Sequence, residues 1–102
     1  MVPGVSFSAD SIRTVAVLGA GTMGHGIAHV FALIGADVRL YDALVGAAAA
    51  GRGKIGANLA KGVELGKLTA EARDAALARV TAVETVSAAC AGADLVIEAV
   101  PE

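Results

Sequence analysis

The sequence predicts an α/β fold built on a parallel sheet of about four strands. Three observations carry this. Val15–Leu18 is a short, wholly apolar run that opens directly into Gly19-x-Gly21-x-x-Gly24. A helical apolar period follows the glycines at once. Strand-like and helix-like stretches then alternate to the end of the 102 residues. The predicted order is β-α-β-α-α-β-α-β, and consecutive parallel strands joined through helices require right-handed crossovers.

Each element has a local reason. Residues 1–13 have neither a sustained period nor a cationic start with an apolar centre, so they read as a flexible leader rather than a signal peptide. Residues 14–102 then form one domain. Val15–Leu18 is apolar on both faces, as buried parallel strands are. Thr22–Ile34 reads as a helix, with Met23, Ile27, Val30, Phe31 and Ile34 expected on its core face. Gly35 follows it, where a left-handed residue is wanted. Asp37–Asp42 alternates as a strand, with Val38 and Leu40 on one side and Arg39 and Tyr41 on the other. Ala43–Gly66 reads as helix despite Gly46, Gly51, Gly53 and Gly56, each weakening it by up to ~1 kcal/mol relative to Ala. Thr69 is placed to cap a second helix, and the two form a hairpin projecting from the sheet. Val80–Glu84 reads as a strand, Val86–Ala91 as a short helix and Asp94–Val100 as a strand closed by Pro101.

Composition narrows the function classes. The chain is 56% apolar but only 3% aromatic, with net charge −2 and pI near 5.6. A core of small side chains follows, and nucleic acid is not an expected partner. Cys90 is the single cysteine, so no internal disulfide forms and a reducing, cytoplasmic setting is expected. Val15–Ala36 holds no formally charged residue and is long enough to span a bilayer. Its glycine placement fits a strand–turn–helix better, so no membrane role is expected.

The glycine turn points to a phosphate. Gly19 allows the tight turn, Gly21 lets the backbone approach a pyrophosphate, and Gly24 lets helix pack on strand. The amides of Ala20, Thr22 and Met23 lie in the same turn, where a helix N-terminus favours negative charge. Asp42 ends the second strand, 18 residues after Gly24. A carboxylate there accepts ribose hydroxyls and repels a 2′-phosphate, and the next arginine is as far on as Arg52. Both points favour NAD over NADP.

Other chemistry-bearing residues carry less. His25 and His29 share a helix face at i, i+4, but no third metal ligand accompanies them, and no metal site is assigned. Cys90 lacks a neighbouring base and reads as a small buried residue. Glu98 lies within an apolar strand, either buried with a partner or turned toward the crevice beyond the strand ends. Lys54, Lys61 and Lys67 are solvated helix charges or contacts for an anionic substrate.

Taken together, G-A-G-T-M-G-H-G-I-A (19–28), L-Y-D (40–42), K-G-V-E-L-G-K-L-T (61–69) and A-D-L-V-I-E-A-V-P-E (93–102) resemble the N-terminal region of the bacterial 3-hydroxyacyl-CoA dehydrogenases, over about residues 13–102. The resemblance implies a Rossmann-type fold with a helical hairpin after the second strand, incomplete relative to the full family domain. It implies NAD contacts from Gly19–Gly24 and Asp42, with Val100, Pro101 and Glu102 lining the same site. It also implies hydride transfer between a 3-hydroxyacyl-CoA and NAD in a parent enzyme of fatty acid metabolism, a homodimer at full length. The family's CoA-contacting polar residue falls near Asn58. Its lysine falls near Leu65, with Lys61 and Lys67 the nearest cations. The family's catalytic His, Glu, Ser and Asn lie beyond the matched motif, so no catalytic residue is assigned and the isolated chain is expected to be inactive. Two alternatives stay open: an NAD-dependent dehydrogenase of a free 3-hydroxy acid, and a non-catalytic NAD-binding module.

Overall fold

The structure, a computed structural model, describes residues 12–99. Four strands and four helices follow in the order β1 (Thr14–Leu18), α1 (Thr22–Leu33), β2 (Asp37–Tyr41), α2 (Ala47–Glu64), α3 (Ala70–Ala78), β3 (Val80–Val83), α4 (Val86–Cys90) and β4 (Leu95–Glu98). The strands form one sheet in the spatial order β3-β2-β1-β4, every pair parallel. The expected fold class is therefore the observed one.

The order of strands decides which face each helix takes. The chain steps from β1 to β2 to β3 in one direction, so right-handed crossovers put α1, α2 and α3 on one face. It then returns across the sheet to β4, and the same rule puts α4 on the other. Arg39 marks that second face: its guanidinium donates to the carbonyl of Ala91, at the end of α4. β1 is therefore covered on both sides, and Val15, Ala16 and Val17 are fully buried.

The main core lies between the sheet and the three-helix face. Val15, Val17, Val38, Leu40 and Val80 meet Ala28 and Ala32 of α1 and Ile55 and Leu59 of α2. Here the expectation for α1 needs correction. Its buried residues are Gly24, Ala28 and Ala32, with Ile27 and Phe31 partly buried against the core. Met23, Val30 and Ile34 are 68%, 57% and 56% exposed. The helix turns its small side to the sheet because small residues let the two backbones approach closely, which outweighs the apolar area left in water. α1 ends as expected: Gly35, at φ +102°, donates to Ala32 O and Ala36 donates to Phe31 O, a Schellman pairing.

The hairpin starts on the sheet rather than standing clear of it. Ala48, Gly51, Ile55 and Leu59, at i, i+3, i+7 and i+11, are the buried residues of α2. Gly51 is the point of closest approach, where a Cβ would sit 2.9 Å from Ala20 O and 3.1 Å from Ala20 Cβ. Thr69 caps α3 by accepting the Ala72 N–H at 3.1 Å. Arg52 ties the hairpin's return to the sheet, donating to Leu77 O and Val80 O at 2.9 and 2.7 Å.

At the other end of the sheet, Asp94 accepts the N–H groups of Arg13 and Thr14, each at 2.9 Å. Ile12 packs against the core, so two residues of the expected leader are engaged by the domain. Residues 1–11 of that leader lie outside the described residues. Among the described residues no helix is long and apolar enough to cross a membrane.

Candidate functional site

The glycine turn sits at the carboxyl ends of the strands, beside the break between β1 and β4. Sequence-adjacent strands lie to one side of β1, and β4 arrives from the other. Ala99 N–H bonds Leu18 O at 2.8 Å, holding β4 against the end of β1. In open α/β sheets this switch in strand order is where ligands bind.

The three glycines act differently. Gly19 has φ +115°, a conformation other residues rarely adopt, and its N–H bonds Tyr41 O at 2.7 Å. Gly24 is required by packing: a Cβ there would lie 1.6 Å from Gly19 O. Gly21 has neither reason. Its φ is −70°, and a Cβ would meet nothing within 4 Å among the described residues. The space over Gly21 is therefore free of the side chains and backbone of the described residues.

That space adjoins the start of α1. Gly21 is the N-cap residue and offers no side-chain acceptor, and the first turn has no acidic residue. The first-turn amides of Thr22, Met23 and Gly24 thus keep the unsatisfied donor character and partial positive charge of a helix N-terminus. An anion is the complementary group.

Asp42 closes the turn from the β2 side. Its Oδ2 accepts the Ala20 N–H and its Oδ1 the Leu44 N–H, both at 2.8 Å. These two bonds, Ala20 first, hold its carboxyl below the usual carboxylate range, against a smaller opposing effect of burial. Each oxygen retains a further lone pair, and Asp42 is only half-buried. It can fix the turn and still accept hydroxyls from a ligand. The bond to Leu44 is an Asx turn, readable from the sequence; the bond to Ala20, 22 residues away, is not.

The remaining candidates separate from the turn. His25 donates its Nδ1–H to Gly21 O at 2.7 Å, so it braces the first turn of α1. His29 has its pKa lowered by burial first and by the charge of His25 second. Among the described residues no group of three metal-ligating side chains occurs. Glu98 is exposed at the end of β4, which settles the sequence's open question against burial. Cys90 is half-buried in α4, less enclosed than expected. Val100, Pro101 and Glu102 lie outside the described residues. Composition gave no hint of a cleft of about 500 Å³ on the β3 side of Asp42, walled by Leu44, Val45, Ala48, Ala82 and Glu84.

A parallel doubly wound sheet with an open glycine turn, an uncapped helix start and a carboxylate ending β2 defines a dinucleotide-binding domain. More narrowly, the chain belongs to the 3-hydroxyacyl-CoA dehydrogenase, NAD binding domain, family, which it matches over residues 14–102. It is 45% identical over 91 residues to a 3-hydroxybutyryl-CoA dehydrogenase of Bradyrhizobium diazoefficiens, covering 89% of this chain and 31% of that protein. It is 47% identical over 92 residues to the 3-hydroxyadipyl-CoA dehydrogenase of Escherichia coli, covering 90% of this chain and 19% of the relative. Among solved structures, 3-hydroxybutyryl-CoA dehydrogenase from Escherichia coli superposes with a TM-score of 0.84 at 47% identity, covering 89% of this chain and 19% of that one. The (S)-3-hydroxybutyryl-CoA dehydrogenase of Ralstonia eutropha gives 0.83 at 37% identity, covering 89% and 32%. The chain thus spans about a third or less of the length of these relatives. NAD is the cofactor of the family domain, as expected from the turn and Asp42.

Proposed function

We propose that this chain holds the adenosine and pyrophosphate of NAD for a dehydrogenase that interconverts 3-hydroxyacyl-CoA and 3-ketoacyl-CoA. The observation that carries the reading is Gly21, a glycine demanded neither by its backbone angles nor by packing against the described residues, at the start of α1, where no side chain caps the helix. The proposed contacts are Gly19, Ala20, Gly21, Thr22, Met23 and Gly24 to the pyrophosphate and Asp42 to the ribose, with Val100, Pro101 and Glu102 completing the set after β4. The fit is chemical: backbone donors and a helix dipole face an anion, and a carboxylate with spare lone pairs faces hydroxyls. When bound, NAD exchanges a hydride at its nicotinamide ring. The chain's own part is to bind and orient; His25 is committed to Gly21 O and His29 lies a turn further along α1, so neither is assigned as the general base. The domain is proposed to run from residue 14 to 102, with Ile12 and Arg13 joined to it and residues 1–11 as its leader.

The substrate half of the proposal rests on the relatives' names and on α2. Lys54, Asn58 and Lys61 are exposed at i, i+4 and i+7, one polar stripe facing solvent. A CoA phosphate is the anion proposed for it. Leu65, 58% exposed, continues the same stripe without a charge. A homodimeric, cytoplasmic parent enzyme of fatty acid metabolism completes the proposal.

The test is a titration of the 102-residue protein with NADH, followed by fluorescence, on wild type and Asp42→Ala. Saturable binding weakened by Asp42→Ala is the expected result. Equal affinities would remove Asp42 from the site, and no binding at all would refute the reading. A turnover assay with 3-hydroxybutyryl-CoA and NAD is expected to show no activity from these residues alone.

A further inference from the structure

We propose that Glu84 is a second specificity residue of the cofactor site, acting with Asp42 to reject a ribose that carries a 2′-phosphate. The inference rests on the NAD reading above and deepens it. A cleft of about 500 Å³ opens beside Asp42, and the glycine turn does not line it. It is bounded by Leu44 and Val45 after β2, by Ala48 at the start of α2, and by Ala82 and Glu84 at the end of β3. A ribose whose hydroxyl is accepted by Asp42 stands at the mouth of this cleft. A phosphate carried on that hydroxyl needs open volume next to Asp42, and the cleft is that volume.

The charges lining it are unfavourable to such a group. Among the described residues, the charged side chains of the cleft are Asp42 and Glu84, both carboxylates. No arginine lines the cleft among the described residues, and three that pack on the sheet are committed elsewhere. Arg52 donates to Val80 O and Leu77 O, Arg79 to Ala32 O, and Arg39 to Ala91 O. The Leu44 N–H, which could have met a phosphate, is taken by Asp42. The start of α2 is the positive feature of the cleft among the described residues, and of its first-turn amides Ala47 N–H already bonds Leu44 O. A helix end is worth roughly half a charge, against two full carboxylates, so the net field opposes a phosphate. Asp42 was expected to do this alone. The fold adds Glu84, which is 42 residues away in sequence and is brought to the same cleft because β3 lies beside β2.

The experiment measures dissociation constants for NAD and NADP, by fluorescence titration of the reduced forms, on wild type, Glu84→Gln, Glu84→Lys and the remote control Glu64→Gln. Removing one like charge at the cleft is expected to lower the NADP-to-NAD ratio of dissociation constants about three- to tenfold, and reversing it to lower the ratio further. Salt gives a second readout that a merely structural role would not move. Raising ionic strength screens repulsion, so the wild-type ratio should fall, and in Glu84→Lys, where the added cation offsets Asp42, it should change less. Glu64→Gln should leave the ratio where it is. An unchanged ratio in both Glu84 variants, with NAD still bound, would overturn this inference alone. Failure of the wild type to bind NAD would overturn the proposed function and this inference with it.

Discussion

Gly21→Ala separates what the fold needs from what the ligand needs. Among the described residues the added methyl meets nothing within 4 Å, and φ of −70° is open to alanine. Two small effects act on stability. Replacing Gly by Ala lowers the entropy of the unfolded chain, stabilising by about 0.4–1 kcal/mol. Alanine is also a poorer N-cap than glycine, a loss of similar size, about 0.5–1 kcal/mol. The two offset, so the unfolding free energy should move by no more than about 0.5 kcal/mol. Binding should respond quite differently, because the methyl occupies the approach to the first-turn amides. A displacement that weakens the pyrophosphate contacts by about 1.4 kcal/mol is a tenfold loss of affinity, and at least that is expected. Urea denaturation of the apo-protein and NADH titration measure the two quantities on one sample. The companion Gly24→Ala should behave in the opposite sense, since its methyl would stand 1.6 Å from Gly19 O and α1 must shift to admit it. Wild-type NADH affinity in a folded Gly21→Ala protein would refute the assignment of that space to the ligand. Marked unfolding of the apo-protein would refute the claim that the fold is indifferent to it.

Two further outcomes follow. Asp42 and Asp94 both have pKa values lowered by backbone N–H bonds. The unfolded chain therefore takes up protons first on acidification. Their stabilisation is present above the ordinary carboxylate value near 3.8 and is lost as pH falls through the lower folded values. Acid denaturation followed by circular dichroism should show a shallower loss below about pH 4 in Asp42→Asn and Asp94→Asn than in wild type; identical acid limbs would contradict the assignment. On α1, Val30→Ser should change stability by less than about 0.5 kcal/mol, since the side chain is 57% exposed. Ala32→Val should cost about 1–3 kcal/mol by overpacking a fully buried position. The reverse ranking in thermal melts would restore Val30 to the core.

Much of the fold was legible in short segments. The β1 run, Gly19, Gly35 and Thr69 each state a local backbone requirement, and the structure satisfies all of them. The α1 face was not legible. Period alone marked Met23, Val30 and Ile34, but a helix lying close on a sheet is chosen for its smallest side, which Gly24, Ala28 and Ala32 supply. Gly51 misled for the same reason: in a helix it reads as a weakness, and only the packing shows α2 resting on Ala20 there.

The sequence by itself determined the architecture and the cofactor class, because strand, turn and helix signals act over a few residues and the Asp42 spacing follows from them. Only the tertiary structure decided how the site is held and what guards it. Asp42 locks Ala20, Arg52 and Arg79 are bound to strand and helix-end carbonyls, and Glu84 lines the cleft beside Asp42. Each of these joins residues more than twenty positions apart, and such contacts exist only once parallel strands have been set side by side.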